Sequence, residues 1–295
     1  MELKAYAKIN WDLHILGKRA DGFHELDMVM ANVSLYDTLS FEPHSSLEFT
    51  CSDPSLPTDE RNLVVKAAHL LSQATGTSSG AKIHLTKLVP AGGGMGGGSS
   101  DGACALLGLS RLWNLNWPIE KLHPIAAQLG SDVAFFLYGG WRRCTGRGEI
   151  VEAIPGSDRW PKVPLLLILP PLQVSTPAAY KMLKAPDWDG KTALRTLTAV
   201  TNDLNLMLQR LWDNDQSGLG LTNGLTQAAQ SVEPRLTPMQ AVLQQMYPGR
   251  WLMSGSGAVH FVVSHPDDDG SRLRKQLENE AGPGIRVLTA TTVTP

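Results

Sequence analysis

Apolar and polar residues alternate at the start of the chain. Leu3, Ala5, Ala7 and Ile9 share one side of a two-residue period, and Glu2, Lys4, Tyr6, Lys8 and Asn10 share the other. That is the pattern of a half-buried strand. Trp11 to Leu16 reads as a second extended run, Asp21-Gly22 as a turn, and Phe23 to Leu35 as strand again. From Asn62 to Gln73 the period changes: apolar residues at 63, 64, 67, 68, 70 and 71 predict a helix that stops near Gly76. Alternation returns over Ala81 to Leu88. Beyond a glycine-rich stretch, Ala103, Leu106, Leu107, Ser110 and Trp113 share a helical face. Pro118 suits the first turn of a further helix, which runs to about Leu129 and ends at Gly130.

The second half opens with a buried strand, Leu165 to Leu169, and continues with helices near 177–184, 203–212, 222–231 and 237–247. A strand, a glycine turn and a strand follow over 251–263, then a charged helix near 269–281 and a last strand near 285–291. The segment Pro155-Gly156-Ser157-Asp158-Arg159-Trp160-Pro161 reads as a soft boundary, so two domains, 1–155 and 156–295, are expected. Strands, then helices, then strands predict an α+β protein.

Composition narrows the function classes. The net charge is 26 minus 28, or −2, which lacks the basic footprint of a nucleic-acid binder. Cys51, Cys104 and Cys144 are odd in number and far apart, so neither a disulfide framework nor a paired-cysteine metal site is expected. The first residues lack the apolar run of a secretory signal, and Val163 to Leu172 is too short and proline-broken to span a bilayer. A cytoplasmic protein with no membrane partner is the expectation.

The chemistry concentrates at Val89-Pro90-Ala91-Gly92-Gly93-Gly94-Met95-Gly96-Gly97-Gly98-Ser99-Ser100-Asp101, between a strand and a helix. Backbone free of Cβ atoms can turn its N–H groups into a concave nest, and the following helix adds orphan N–H groups and about half a positive charge. Together they suit a polyphosphate, with Ser99 and Ser100 as helix caps or hydroxyl donors. A flexible linker is the plainer reading. A Walker A loop fails because Ser99, not lysine, follows Gly98. The protein-kinase signatures His-Arg-Asp and Asp-Phe-Gly are absent. Gly92, Gly94 and Gly97 fit G-x-G-x-x-G, which keeps a dinucleotide-dependent oxidoreductase open, although Pro90 interrupts the strand that should feed it. A protein that binds nucleotide without catalysis also stays open.

Pro90-x-x-x-Gly94-Met95-Gly96-Gly97-Gly98-Ser99-Ser100 resembles the ATP loop of the GHMP small-molecule kinases, which include galacto-, homoserine, mevalonate and phosphomevalonate kinases. Ala7-Lys8-Ile9-Asn10 is similar to the first motif of that family, and Met253-Ser254-Gly255-Ser256-Gly257-Ala258 to its third. Arg19-Ala20-Asp21-Gly22-Phe23-His24, Gly130-Ser131-Asp132-Val133, Thr145-Gly146-Arg147-Gly148-Glu149 and Asn202-Asp203-Leu204 resemble the members that act on a cytidine-diphosphate-linked polyol in the non-mevalonate isoprenoid pathway. Phe23 stands where tyrosine is usual, Gly102 where alanine is usual, and Asn205 where an acid is common.

The resemblance implies a two-domain α+β fold with ATP and the cytidyl substrate meeting in the interdomain cleft. It implies transfer of the γ-phosphate to a tertiary 2-hydroxyl, with Mg²⁺ as the companion ion. A homoserine- or mevalonate-type kinase is the runner-up. Asp132, at a helix start where an anion is favoured, is the candidate base, with an ordinary N-cap as the alternative. The resemblance pairs it with Lys8, which alternation alone would turn to solvent. It assigns Pro90, Gly92, Gly93, Gly94, Met95, Gly96, Gly97, Gly98, Ser99 and Ser100 to the ATP phosphates. Asn10, Phe23, His24 and Thr176 fall to the acceptor substrate, Phe23 stacking on the base and His24 bonding its edge.

Overall fold

The computed structural model describes residues 1–190, 192, 194–213 and 218–295. Strand β1 (Glu2–Lys18) pairs antiparallel with β2 (His24–His44). The two runs expected over 2–16 are therefore one strand. Its register shifts between Tyr6 and Lys8, between Asn10 and Asp12, and between Ile15 and Gly17. A bulge breaks the two-residue period, and residues 7 to 11 are all buried as a result. Lys8 and Asn10 face protein rather than solvent, which overturns the alternation-based expectation for both.

The chain continues through β3 (Leu47–Cys51), α1 (Leu63–Thr75), β4 (Gly80–Thr86), α2 (Gly97–Leu112), α3 (Ile119–Leu129), α4 (Val133–Tyr138), β5 (Trp141–Gly146) and β6 (Ile150–Ala153). It closes with β7 (Pro164–Leu169), α5 (Thr176–Met182), α6 (Leu197–Trp212), α7 (Thr226–Val232), α8 (Leu236–Met246), β8 (Trp251–Met253), β9 (His260–Val263), α9 (Ser271–Glu280) and β10 (Arg286–Val293). The strand order is β3-β4-β2-β10-β7-β9-β8, with β1 and β5 also on β2, and β6 on β5. Only β3–β4 is parallel among these pairs. The doubly wound parallel sheet that a dinucleotide fingerprint requires is not what carries this loop.

Three apolar clusters hold the layers. Leu39, Ile83, Leu106 and Leu109 pack α1 to α4 against β2 and β4. Leu166, Ile168, Val262, Leu243 and Leu273 pack α8 and α9 against β7 and β9. Trp11, Val29, Leu167, Phe261 and Leu204 join β1 and β2 to β7, β9 and α6. Each such side chain contributes about 1.5–3 kcal/mol on burial. β10 pairs with β7 from Arg286 to Thr291 and then with β2 through Thr292 and Val293, so one strand links both sets of elements.

A buried ion cluster adds a second tie. Arg195 reaches Asp12 at 2.8 Å and Asp27 at 3.0 Å, and Arg143 reaches Asp27 at 3.1 Å. Burial works against the Asp27 carboxylate, but hydrogen bonds from Arg143 and Arg195 outweigh it and hold the group below its usual range.

Candidate active site

A cavity of about 850 Å³ opens between the glycine loop, β1, the start of α4 and α5. The loop joins β4 to α2. Gly92, Gly94 and Gly96 take φ of 72°, 78° and 69°, a left-handed region where a side chain is strained. At Gly94 the constraint is also spatial, since a Cβ there would collide with the carbonyl oxygen of Ser254. Gly96 is the N-cap of α2, so Gly97 and Gly98 belong to the first helical turn. The helix starts earlier than its apolar spacing suggested, and Ser99 and Ser100 lie inside it rather than capping it. Gly97, Gly98 and Ser99 line the cavity, which brings the orphan N–H groups and positive end of a 16-residue helix to its wall.

Two members of the loop turn away. Met95 is buried in the core, and its carbonyl accepts the Lys8 N–H at 3.0 Å. Ser100 is buried, and its hydroxyl donates to the Tyr6 carbonyl at 2.7 Å. The Met95 carbonyl and the Ser100 hydroxyl anchor the loop to β1, and neither residue is part of the cavity lining. Pro90, Gly92, Gly93, Gly94, Gly96, Gly97, Gly98 and Ser99 all line it.

Lys8 Nζ lies 3.5 Å from Asp132 Oδ2 and donates to Asn10 Oδ1. Its side chain is 4% exposed, that of Asp132 30%. Asp132 occupies the N-cap position of α4, yet its side chain makes no capping hydrogen bond. The carboxylate is thereby left to face the ammonium group and the cavity. Asn10 is itself fixed, its amide donating to Met28 Sδ at 3.2 Å and its backbone N–H to Ser254 Oγ at 3.3 Å.

Aromatic side chains also line the cavity. Phe23 is half exposed at the turn before β2. The His24 ring lies 5.0 Å from that of Tyr180, and the Arg147 guanidinium 4.9 Å from that of Phe23. Burial, helped by Lys18, lowers the His24 pKa, which favours the neutral ring with one donor and one acceptor. Thr176, from the second half, shares a hydrogen bond of 2.7 Å with Ser256 Oγ.

The turn at 254–257 packs onto the glycine loop. Ser254 Oγ donates to the Gly94 carbonyl at 2.9 Å, and Val259 N–H donates to that of Gly93 at 3.1 Å. The third glycine motif thus braces the second. Sequence reasoning missed Tyr180, Arg147 and Lys18 as wall residues, while Ser256 of the third motif does line the cavity. Arg147 stood within a motif already noted and Tyr180 four residues after Thr176, but neither position shows in one dimension which way it faces. Asn202 and Asp203 are exposed on α6 and are not part of the cavity lining.

Comparison with known proteins agrees with this geometry. The family description "GHMP kinases N terminal domain" matches residues 62–140. The chain is 35% identical to the 4-diphosphocytidyl-2-C-methyl-D-erythritol kinase of Heliobacterium modesticaldum, over 99% of this chain and 96% of that one. It is 48% identical to the enzyme of that name from Synechococcus sp. CC9605, in a match spanning 61% of this chain and 59% of that protein's length. A crystal structure of 4-(cytidine 5'-diphospho)-2C-methyl-D-erythritol kinase superposes with a TM-score of 0.74 at 31% identity, covering 98% of this chain and 99% of that one. A homoserine kinase from Cytophaga hutchinsonii shares the fold at 20% identity, with a TM-score of 0.66 and coverage of 98% and 94%. With three motifs meeting at one cavity and near full-length similarity of this kind, the chain belongs to the GHMP kinase family, among the 4-diphosphocytidyl-2-C-methyl-D-erythritol kinases.

Proposed function

We propose that this chain transfers the γ-phosphoryl group of ATP to the 2-hydroxyl of 4-diphosphocytidyl-2-C-methyl-D-erythritol, with Asp132 as base and Lys8 as its electrostatic partner. The observation that carries the reading is the uncommitted Asp132 carboxylate, 3.5 Å from the buried Lys8 ammonium, in the same cavity as the glycine loop. The bond between the γ-phosphorus and the ADP oxygen breaks, and a bond from the substrate oxygen to that phosphorus forms. The hydroxyl proton passes to Asp132, and ADP leaves. Lys8 offsets charge on the transferring group, in the way that preorganised cations stabilise phosphoryl transfer.

The main-chain amides and helix end at Gly92–Ser99 suit the polyphosphate. The aromatic wall of Phe23, His24 and Tyr180 suits a pyrimidine, and Asn10 and Thr176 suit the polyol. That wall favours a nucleobase-bearing acceptor over homoserine or mevalonate.

Mg²⁺ fits as an ion carried by the nucleotide. Among the described residues no group of three His, Cys, Asp or Glu is placed to hold a metal, and Asp132 is the one carboxylate lining the cavity. The Ser99 hydroxyl in the first turn of α2 is the protein oxygen that fits beside it. When bound, the ion supplies charge neutralisation to the phosphates, consistent with its preference for phosphate and water oxygens.

The reading divides the chain at 155/156, with ATP held mainly by the first part and Thr176 and Tyr180 supplied by the second. It assigns the protein to the cytoplasm, in keeping with three free cysteines. No described helix is long and apolar enough to cross a membrane. A coupled ADP assay with the cytidyl substrate, homoserine and mevalonate tests the reading. Turnover with the cytidyl substrate alone supports it, and turnover with either of the others in its place refutes it.

A further inference from the structure

We propose that Asn223 is a positioning residue for phosphoryl transfer, acting through the 253–257 turn. The inference rests on the kinase reading above and adds a residue to it. Asn223 is buried, between α6 and α7. Its amide nitrogen donates to two carbonyls of the turn, Met253 at 2.7 Å and Gly255 at 2.8 Å. Its Oδ1 accepts the Leu225 N–H at 2.8 Å. Both amide hydrogens and the carbonyl oxygen are therefore used, and the fork spans alternate residues of one turn.

What the fork holds is the roof over the reacting groups. A Cβ on Gly255 would stand 3.1 Å from the Gly94 carbonyl oxygen, 3.4 Å from Lys8 Nζ and 3.5 Å from Asn10 Oδ1. The neighbouring Ser254 bonds both Gly94 and the Asn10 backbone. The segment that carries Asn223 is itself fixed to the strand that carries Lys8. Leu13 N–H donates to the Thr222 carbonyl and Gly224 N–H to the Leu13 carbonyl, each at 2.9 Å. Asn223 thus ties β1, the glycine turn and the start of α7 into one frame. A turn shifted by a few tenths of an ångström moves Gly255 against Lys8 and Asn10, and phosphoryl transfer is sensitive to such displacement.

The chemistry requires an amide at this position. Aspartate has the same shape but presents lone pairs to two carbonyls that need donors, so it breaks both bonds and repels. Serine keeps one donor and cannot span both. Asn202, which shares the Asn-x-Leu spacing with Asn223, lies exposed on α6 and serves as the control.

The test is steady-state ADP release with ATP and the cytidyl substrate by wild type, Asn223→Asp, Asn223→Ser and Asn202→Asp, at a temperature below every thermal midpoint. The expected result is a fall in kcat of at least tenfold for Asn223→Asp and a smaller fall for Asn223→Ser. Both KM values stay within about threefold, because the cytidyl wall and the helix end are untouched. Asn202→Asp behaves as wild type. If Asn223→Asp does not fold, the kcat and KM of Asn223→Ser are read in the same way. Wild-type kcat in a folded Asn223 variant, with only its melting temperature lowered, overturns the inference and leaves the kinase reading intact. A wild type inactive on the cytidyl substrate refutes the kinase reading itself.

Discussion

Lys8 Nζ stands 3.5 Å from Asp132 Oδ2, the ammonium from a bulged strand and the carboxylate from a helix N-cap that it does not cap. Replacement of Asp132 by asparagine removes a proton acceptor without removing a cap. The expected outcome is a kcat lower by about 10²–10⁴-fold, KM values within a few-fold, and a thermal midpoint close to wild type. Lys8→Met is expected to lower kcat by about 10²–10³-fold. The double variant is expected to be little worse than the weaker single one, because the two groups act as a unit. Steady-state kinetics on the four proteins measure this.

Gly94 and Gly98 separate packing from ligand contact. A methyl at Gly94 meets the Ser254 carbonyl at φ +78°, so Gly94→Ala is expected to dislodge the loop and lower both stability and ATP affinity. Gly98 is helical, and a Cβ there meets nothing within 4 Å. Gly98→Ala is expected to keep or raise stability by up to about 1 kcal/mol through helix propensity. It is also expected to weaken ATP, because the methyl enters the cavity. Melting curves with and without ATP distinguish the two outcomes.

The aromatic wall is expected to govern substrate affinity rather than chemistry. Stacking on a base is worth about 1–3 kcal/mol, or roughly five- to 150-fold. Phe23→Ala and Tyr180→Ala are therefore expected to raise the KM for the cytidyl substrate within that range while leaving the KM for ATP nearly unchanged. An equal rise in both KM values contradicts the assignment of this wall.

Two buried groups give opposing pH dependences. His260 donates from Nδ1 to the Ala258 carbonyl at 2.9 Å and accepts from Gln240 at 2.9 Å, and burial lowers its pKa from 6.5 to about 4. The unfolded chain takes up a proton below 6.5 that the folded one refuses, so stability falls as pH drops from 6.5 to 4, by about 3 kcal/mol in all. Asp101 behaves in the reverse sense. Burial raises its pKa above the ordinary 3.8, against the pull of Lys87 at 2.9 Å, and one carboxylate oxygen has no hydrogen-bond partner. The folded state holds a proton that the unfolded state has lost, so this contribution is complete below 3.8 and is lost as pH rises through the raised value. The net slope is expected to be shallow. His260→Gln is expected to lose the acid-side destabilisation, and urea titrations at pH 7.5, 5.5 and 4.5 reveal it, the spacing of about one to two pH units sampling the window.

Most helices and the longer strands were legible because their periods are local, whereas the short strands β3, β5 and β6 were not. Most helices expected in the second half lie within a few residues of their observed place, although α6 begins at Leu197, six residues before the expected start at 203, and the glycine run between strand and helix announced a ligand loop. What period alone could not show was the burial of Lys8 and Asn10. Bulges in β1 and the loop laid over it decide that, and both depend on residues far away in sequence. Ser100 looked like a phosphate ligand because hydroxyls beside glycines often are, but a helix that starts at Gly97 turns it back towards Tyr6. Asn202 drew attention by its neighbours, whereas Asn223 reaches the site through a turn some thirty residues away.

The most direct test follows phosphorus. Wild-type protein is incubated with ATP, Mg²⁺ and 4-diphosphocytidyl-2-C-methyl-D-erythritol, and the mixture is monitored by phosphorus NMR. The account predicts a new phosphomonoester resonance that grows in step with ADP while the cytidyl diphosphate stays intact. ADP without that resonance, or loss of the diphosphate in its place, contradicts it.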